Sequence, residues 1–276
     1  MYTGDKYVDA ESFLDRLAKE QENGEEKLVK SKQRVKDAGE VFTPRWVVRD
    51  MLDLDEIKDM SFELDTTFLE PACGNGNFII QILVRKLMSV SAEAFDIDVA
   101  RSVASIYGVD IAEDNVKETR ARMMNAIKHF YADNKMKLSR EVECSLWYIL
   151  YRNIILGNTL EYKKYAEIYS NAELVESKAY DNEDEAGSAK QSTVGASIVD
   201  MRANGIVDDG GNTVVIDALL VSEWKFRSGR VSRSEFRIED MSHGQDADAV
   251  TEYRAVPFHK LYTVKDSAPD IRAILG

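Results

Sequence analysis

Apolar residues recur at helical spacing in the first part of the chain. Phe13, Leu14 and Leu17 fall on one face of a charged segment, and Val47, Val48, Met51 and Leu52 form a second stripe. Residues 9–38 therefore read as helical, with a break at Gly24. A further helix opens at Thr43-Pro44, where Thr43 is placed as N-cap and Pro44 suits the first helical position. Residues 39–42 form a loop that delivers Phe42 to that helix entrance. From residue 66 the period alternates. Short β-prone runs at 66–71, 105–111 and 153–160 are separated by runs of 3.6-residue period at 78–88, 113–130 and 140–151, and Val116, Met123 and Ile127 share one face of the second. Strands alternating with helices of this length predict a doubly wound α/β fold, a mostly parallel sheet covered on both faces.

The alternation stops near residue 172. Residues 172–211, with SKAYDNEDEAGSAKQSTVGAS and DDGGN, are acidic, poor in aromatics and rich in small residues, and read as a flexible insertion. Order resumes at NTVVIDALLVSEWKF, a β-prone run expected to continue the core sheet, followed by RVSRSEFRIEDM, a strand leading to a short helix. The expected organisation is an N-terminal helical arm (1–38), a ligand-binding core (39–171), the insertion (172–211), and the remainder of the core sheet with a C-terminal extension (212–276). No internal repeat is evident.

Composition narrows the picture further. With 276 residues and 44% hydrophobic content, the chain can bury one sizeable core plus an appendage. No run approaches the roughly 20 apolar residues of a membrane span, so a cytoplasmic location is the default expectation. A net charge of −13 argues against indiscriminate adhesion to nucleic acid. It leaves room for a local basic cleft at Lys225, Arg227, Arg230, Arg233 and Arg237, or for a solvated strand face balanced by Glu235 and Glu239. Cys73 and Cys144 are too distant for a readable disulfide framework or zinc site, and His129, His243 and His259 lack metal-ligand spacing.

The candidate chemistry centres on FLEPACGNGNF (68–78). A strand that ends in a Gly-x-Gly turn and feeds a helix brings backbone N–H groups close to a ligand. A phosphate loop of the Walker type is excluded, because Asn75-Gly76-Asn77-Phe78 stands where Gly-Lys-Ser/Thr is required. A dinucleotide site would want a third glycine where Ile79 stands, and an acid about 20 residues on; the acid ending the next strand, Asp110, lies well beyond that. An acid there does suit a ribose with two free hydroxyls. S-adenosylmethionine carries such a ribose and no phosphate.

Taken together, GEVFTP (39–44), FLEPACGNGNF (68–78) and YGVDIAEDNV (107–116), in this order and spacing, resemble the opening half of an adenine-specific DNA N6-methyltransferase, over roughly residues 37–161. The likeness is to the modification subunits of restriction systems and related mobile-element proteins. It implies a methyltransferase fold, S-adenosylmethionine as cofactor and DNA as substrate. By the same resemblance Phe42, Thr43 and Pro44 close over the methionine end. Glu70, Pro71, Cys73, Gly74 and Gly76 form the main cofactor loop, Asp110 takes the ribose hydroxyls and Ile111 lies against the adenine. Asn158, in ILGNTL, stands where the family commonly has an acid that accepts from the adenine amino group.

One family element is missing. Its catalytic tetrapeptide, Asp/Asn/Ser-Pro-Pro-Tyr/Phe, ends the fourth strand, where its polar groups accept from the target amino group and its ring stacks on the flipped base. The four prolines here, Pro44, Pro71, Pro257 and Pro269, are nowhere adjacent. At the corresponding place stands Ser222-Glu223-Trp224-Lys225-Phe226, where Glu223 could accept and Trp224 or Phe226 could stack as substitutes. Strand alternation alone also accounts for it, with Trp224 and Phe226 in the core and Glu223 and Lys225 outward. The stretch after Phe226 is short for a target-recognition domain, so either a separate specificity or modification subunit supplies recognition or recognition is slight. Three readings follow: a DNA methyltransferase; a cofactor-binding, non-catalytic regulatory subunit; and an acidic protein that imitates phosphate charge to engage a DNA-binding partner.

Overall fold

In the computed structural model, residues 4–20, 28–165, 215–242, 247–266 and 271 are described. The N-terminal region forms α1 (Lys6–Glu20), α2 (Lys32–Ala38), α3 (Arg45–Leu52) and the single turn α4 (Asp55–Lys58). Then come β1 (Phe68–Glu70), α5 (Asn77–Leu87), α6 (Phe95–Ala104), β2 (Ile106–Asp110), α7 (Glu113–Asp133), α8 (Arg140–Asn153) and β3 (Ile154–Asn158). Strands β1, β2 and β3 are parallel neighbours, with Phe68 opposite Ile106 and Gly108 opposite Ile154. Beyond β3 the sheet is extended by two antiparallel strands, β4 (Lys163–Tyr165) and β5 (Val215–Ala218). This mixed sheet, parallel from its β1 edge to β3, antiparallel beyond and flanked by helices, has a Rossmann-like architecture. Residues 172–211 and the Gly24 break lie outside the described residues.

Burial explains why these runs become these elements. Ile106, Val109, Ile154, Ile155 and Leu156 are all buried, as central strands covered on both faces require. Helix α5 is buried along almost its whole length, charges included. Arg85 is paired with Asp53 (2.7 Å) and donates to the Leu52 carbonyl (2.9 Å). Lys86 donates to the carbonyls of Glu63 and Thr66 (2.6 Å each), and burial pulls its pKa down to about 8. These two cations bind the α3–β1 connection to the core. Ile79 lies against Gly108 so closely that a Cβ there would stand 2.5 Å from it, so the tight helix–strand approach is made by a glycine in the strand.

Several expectations are revised. Helix α1 packs on the core, with Phe13 buried edge-on against Phe130 at 6.5 Å. Helix α6, which the pattern did not reveal, buries Phe95, Val99 and Val103. Met51 is exposed while Val48 and Leu52 carry the α3 contact. From residue 215 to 226 the β-prone run does not form one strand of the parallel sheet. It breaks at the buried Leu219 into β5 and β6 (Leu220–Arg227), and β6 joins β7 (Arg230–Arg237) and β8 (Thr251–Pro257) in a separate antiparallel sheet. The turn at Ser228-Gly229, both at positive φ (50° and 73°), closes β6 and β7 into a two-residue hairpin. The short helix α9 (Ile238–Ser242) follows β7 as expected. Among the described residues, no helix is long and apolar enough to cross a membrane.

Candidate functional site

Beyond β1 the chain turns over the carboxyl end of β2. The Cys73 N–H donates to the Val109 carbonyl (2.9 Å), the Gly76 N–H donates to the Cys73 carbonyl (2.9 Å), and α5 begins. Gly74 and Gly76 hold φ of 53° and 87°, left-handed conformations that glycine adopts without steric cost. Both are crowded: a Cβ on Gly74 would stand 3.0 Å from the Phe42 ring, which would have to give, and one on Gly76 would clash with Thr119 Oγ1 at 2.8 Å. One face of α7 supports the turn. Thr119 Oγ1 donates to the Gly74 carbonyl (3.1 Å), and Arg122 donates to the Asn75 carbonyl and to Asn77 Oδ1 (3.1 Å).

Asp110 ends β2 beneath this turn, 8% exposed. Its Oδ2 accepts from the Gly74 N–H (2.8 Å); its Oδ1 accepts from the Ala112 N–H (2.8 Å) and from Asn115 Nδ2 (3.1 Å). Acid and glycine turn are thus joined directly.

A strap crosses above them. Ser31 caps α2 by accepting from the Arg34 N–H (3.1 Å), Gly39 ends the helix in the left-handed region, and the Phe42 N–H donates to the Leu28 carbonyl (2.8 Å). Lys30 reaches Asp114 (2.8 Å) and Glu118 (2.7 Å), while Arg34 bridges Asp114 and Glu40 (2.5 Å each). Burial raises the Asp114 carboxyl, but Arg34 and Lys30 outweigh it and hold the group below the usual range. On the other side Asn77 and Gln81 of α5 donate to the carbonyls of Thr43 and Arg45 (2.8 Å each).

Strap, turn and strand end enclose a hollow of about 540 Å³, lined by four carboxylates (Glu40, Glu70, Asp110, Asp114) against one guanidinium, Arg34. That volume suits a ligand of cofactor size. Burial raises the Glu70 carboxyl, partly offset by the Ala72 N–H. Cys73 is a neutral thiol: burial first, then the charges of Asp110 and Glu70, push it far above the ordinary range. It contributes backbone and shape to the wall, not a nucleophile.

Phe42, Thr43, Glu70, Cys73, Gly74, Asp110 and Ile111 all line this hollow. Four other residues expected there do not. Pro44, with ψ of 144°, is itself the N-cap residue of α3 in place of Thr43, and the helix has no side-chain capping bond there. Gly76 lies beneath the turn against Thr119. Pro71 lines the neighbouring apolar cleft, where its carbonyl accepts from Thr159 Oγ1 (3.0 Å). Asn158 spends its side-chain carbonyl on the N–H groups of Leu160 (2.9 Å) and Glu161 (3.3 Å), a local turn that leaves the expected acceptor engaged. Glu223 and Trp224 also lie elsewhere. Glu223 pairs with Lys225 (2.9 Å), and Trp224 packs edge-on against Tyr148 while its Nε1 donates to Asn153 Oδ1 (2.9 Å). The basic run likewise forms neither an open cleft nor a wholly solvated face, since Arg233 is buried between Glu235 and Asp266.

Sequence reading passed over Arg34, Glu40, Asn115, Thr119 and Arg122. The last three stand at i, i+4 and i+7, a polar stripe on the inner side of α7 that helical periodicity could have flagged. No cluster suited to a metal ion occurs among the described residues. In comparison with known proteins, the family model described as N-6 DNA Methylase matches residues 26–175, a little over half of the chain. No curated protein and no solved structure gives a match.

Proposed function

The chain belongs to the N-6 DNA methylase family, and from that premise we propose that it holds S-adenosylmethionine in this hollow for methyl transfer to adenine N6 in DNA. The observation that carries the reading is the surplus of acceptors. Four carboxylates line the hollow, and Glu40 Oε1, buried, meets no donor. Such a wall repels a phosphate-bearing cofactor and suits a ligand with hydroxyls, an ammonium and a sulfonium. Asp110 and the Gly74 backbone would face the ribose, the exposed Ile111 side chain the adenine, and Glu70, Phe42 and Thr43 the methionine end. When bound, S-adenosylmethionine supplies an electrophilic methyl group. The residues of this chain bind and orient it, and the α2 strap limits access of water.

A second reading, cofactor binding without transfer, is favoured by a specific observation. No two prolines are adjacent, so the family's tetrapeptide is absent, and both candidate substitutes are engaged outside the hollow. Calorimetry with S-adenosylmethionine tests the common premise: the wild type binds, and Asp110→Ala weakens binding at least tenfold. No heat of binding in the wild type overturns it. Methyl-labelled cofactor incubated with mixed DNA then separates the readings, since incorporation marks the enzyme and binding without incorporation marks the non-transferring subunit.

A further inference from the structure

We infer that Glu40 is a second ribose-binding carboxylate, so that the diol of the cofactor is shared between Asp110 and Glu40 instead of being gripped by Asp110 alone; this rests on the proposed cofactor reading. The argument is an inventory of acceptor sites. A carboxylate oxygen accepts about two hydrogen bonds in good geometry. Asp110 Oδ1 already takes two, from the Ala112 N–H and Asn115 Nδ2, and Oδ2 takes one, from the Gly74 N–H. One acceptor site therefore remains for two hydroxyl donors. The side chain is also only 8% exposed, sunk under the turn that it braces.

Glu40 makes up the difference. It lines the same hollow with its side chain 14% exposed. Its Oε2 accepts from Arg34 Nη2 (2.5 Å) and from Asn115 Nδ2 (3.0 Å), while its Oε1 is buried without a donor. An unpaired carboxylate oxygen is costly, and a ligand hydroxyl relieves it once the carboxylate turns that oxygen from the protein interior into the hollow. The two acids are not independent. The same Asn115 amide nitrogen donates to both, which fixes Glu40 Oε2 and Asp110 Oδ1 no more than about 6 Å apart. Asn115 itself is 1% exposed and is a positioning residue for the pair. Arg34 tethers Glu40 to Asp114, so the second acceptor arrives with the strap.

The test pairs residue changes with ligand changes. Affinities for S-adenosylmethionine and for its 2′-deoxy and 3′-deoxy analogues are measured by calorimetry on the wild type, Glu40→Ala, Glu40→Gln and Asp110→Asn, with thermal midpoints confirming that each variant is folded. In the wild type each missing hydroxyl is expected to weaken binding about tenfold to a hundredfold. In Glu40→Ala one analogue should lose this penalty while the other keeps it. In Asp110→Asn the analogue that still bears a penalty in Glu40→Ala should be the one most relieved. Glu40→Gln, which retains a carbonyl acceptor, should restore part of the discrimination. The inference is overturned if Glu40→Ala weakens all three ligands by the same factor or none of them, because Glu40 would then serve only the strap. It is also overturned if Asp110→Asn alone abolishes both penalties. Failure of the wild type to bind S-adenosylmethionine would be a different result, removing the cofactor reading together with this one.

Discussion

Gly74 and Gly76 stand two residues apart in one turn, yet their replacement should have different consequences. At Gly76 a Cβ meets Thr119, a β-branched side chain of the buried face of α7, at 2.8 Å, and the backbone stands at φ 87°. Gly76→Ala is therefore expected to destabilise the fold by about 2 kcal/mol, visible as a lower urea midpoint. At Gly74 the obstacle is the Phe42 ring on the strap at 3.0 Å. Gly74→Ala should displace the strap, so its main effect is weaker S-adenosylmethionine binding in calorimetry with a smaller loss of stability. Glu70 allows a test by pH. Burial raises its carboxyl, so if its ionised form holds the cationic end of the cofactor, affinity is full above its raised pKa and falls as it protonates, at a higher pH than an ordinary glutamate would give. Glu70→Gln should flatten that dependence. Asp110 and the glycine turn were legible because each lies in a short contiguous motif. Glu40 stands in one of the quoted motifs, GEVFTP, but its role was not legible there, and Arg122 stands in none: Glu40 meets Asn115, and Arg122 meets Asn75, only through the tertiary fold.

Between elements, the strap carrying α2 is joined to α7 by charge, and to the glycine turn by the Phe42 ring. Lys30 and Arg34 converge on Asp114, and both are only partly exposed, with side chains at 24% and 28%. Isolated surface pairs contribute about 0–1 kcal/mol, but one carboxylate here anchors two cations on the same short segment. Asp114→Ala should accordingly speed hydrogen exchange of the Gly39 and Phe42 amides severalfold. High salt should produce a similar loosening in the wild type and little further change in the variant. Equal salt dependence in the two proteins would show that the strap is held by Phe42 and the backbone instead. The same scale explains which elements the sequence disclosed. Helices α7 and α8 run for 21 and 14 residues, and α5 follows directly from the glycine turn. Helix α6 is short, rich in β-branched Ile97, Val99 and Val103, and stabilised by contacts with Phe130 and Tyr131 that no local pattern reveals. The division of 215–226 into two strands was hidden because both halves are equally β-prone; the Ser228-Gly229 dipeptide was the available sign of the hairpin.

At the scale of the molecule, the antiparallel sheet packs on the core through Val231, Trp224, Phe226 and Val256, and polar contacts tie it there. Tyr107 of β2 donates to the Ser222 carbonyl (2.6 Å), and Trp224 donates to Asn153 at the end of α8. The central contact is Asp266, whose side chain is 2% exposed and lies between Arg152 of α8 and Arg233 of β7. Arg152 binds it with two nitrogens (2.7 and 2.5 Å), Arg233 with one (2.5 Å), and the Tyr148 hydroxyl also donates to it (2.9 Å). Removing the carboxylate would leave two buried guanidinium groups short of their counter-charge, which is far more costly than the net worth of the pair. Asp266→Ala is expected to lose about 3–5 kcal/mol in urea unfolding, and Asp266→Asn to lose less because the amide can still accept. Acid should have the same effect on the wild type. Burial raises the Asp266 carboxyl, but Arg152, then Arg233 and Tyr148, outweigh it, so the folded value lies below the ordinary 3.8. The unfolded chain therefore binds the proton first as pH falls. The contribution is complete above the ordinary carboxylate value and disappears as pH drops below it through the folded value. The difference in stability between wild type and Asp266→Asn should thus be constant from neutral pH down to about 5 and then narrow as acid removes the charge that only the wild type carries. A gap that stayed constant to the acid limit would mean that the two arginines are neutralised by other groups, with Asp266 acting by shape alone.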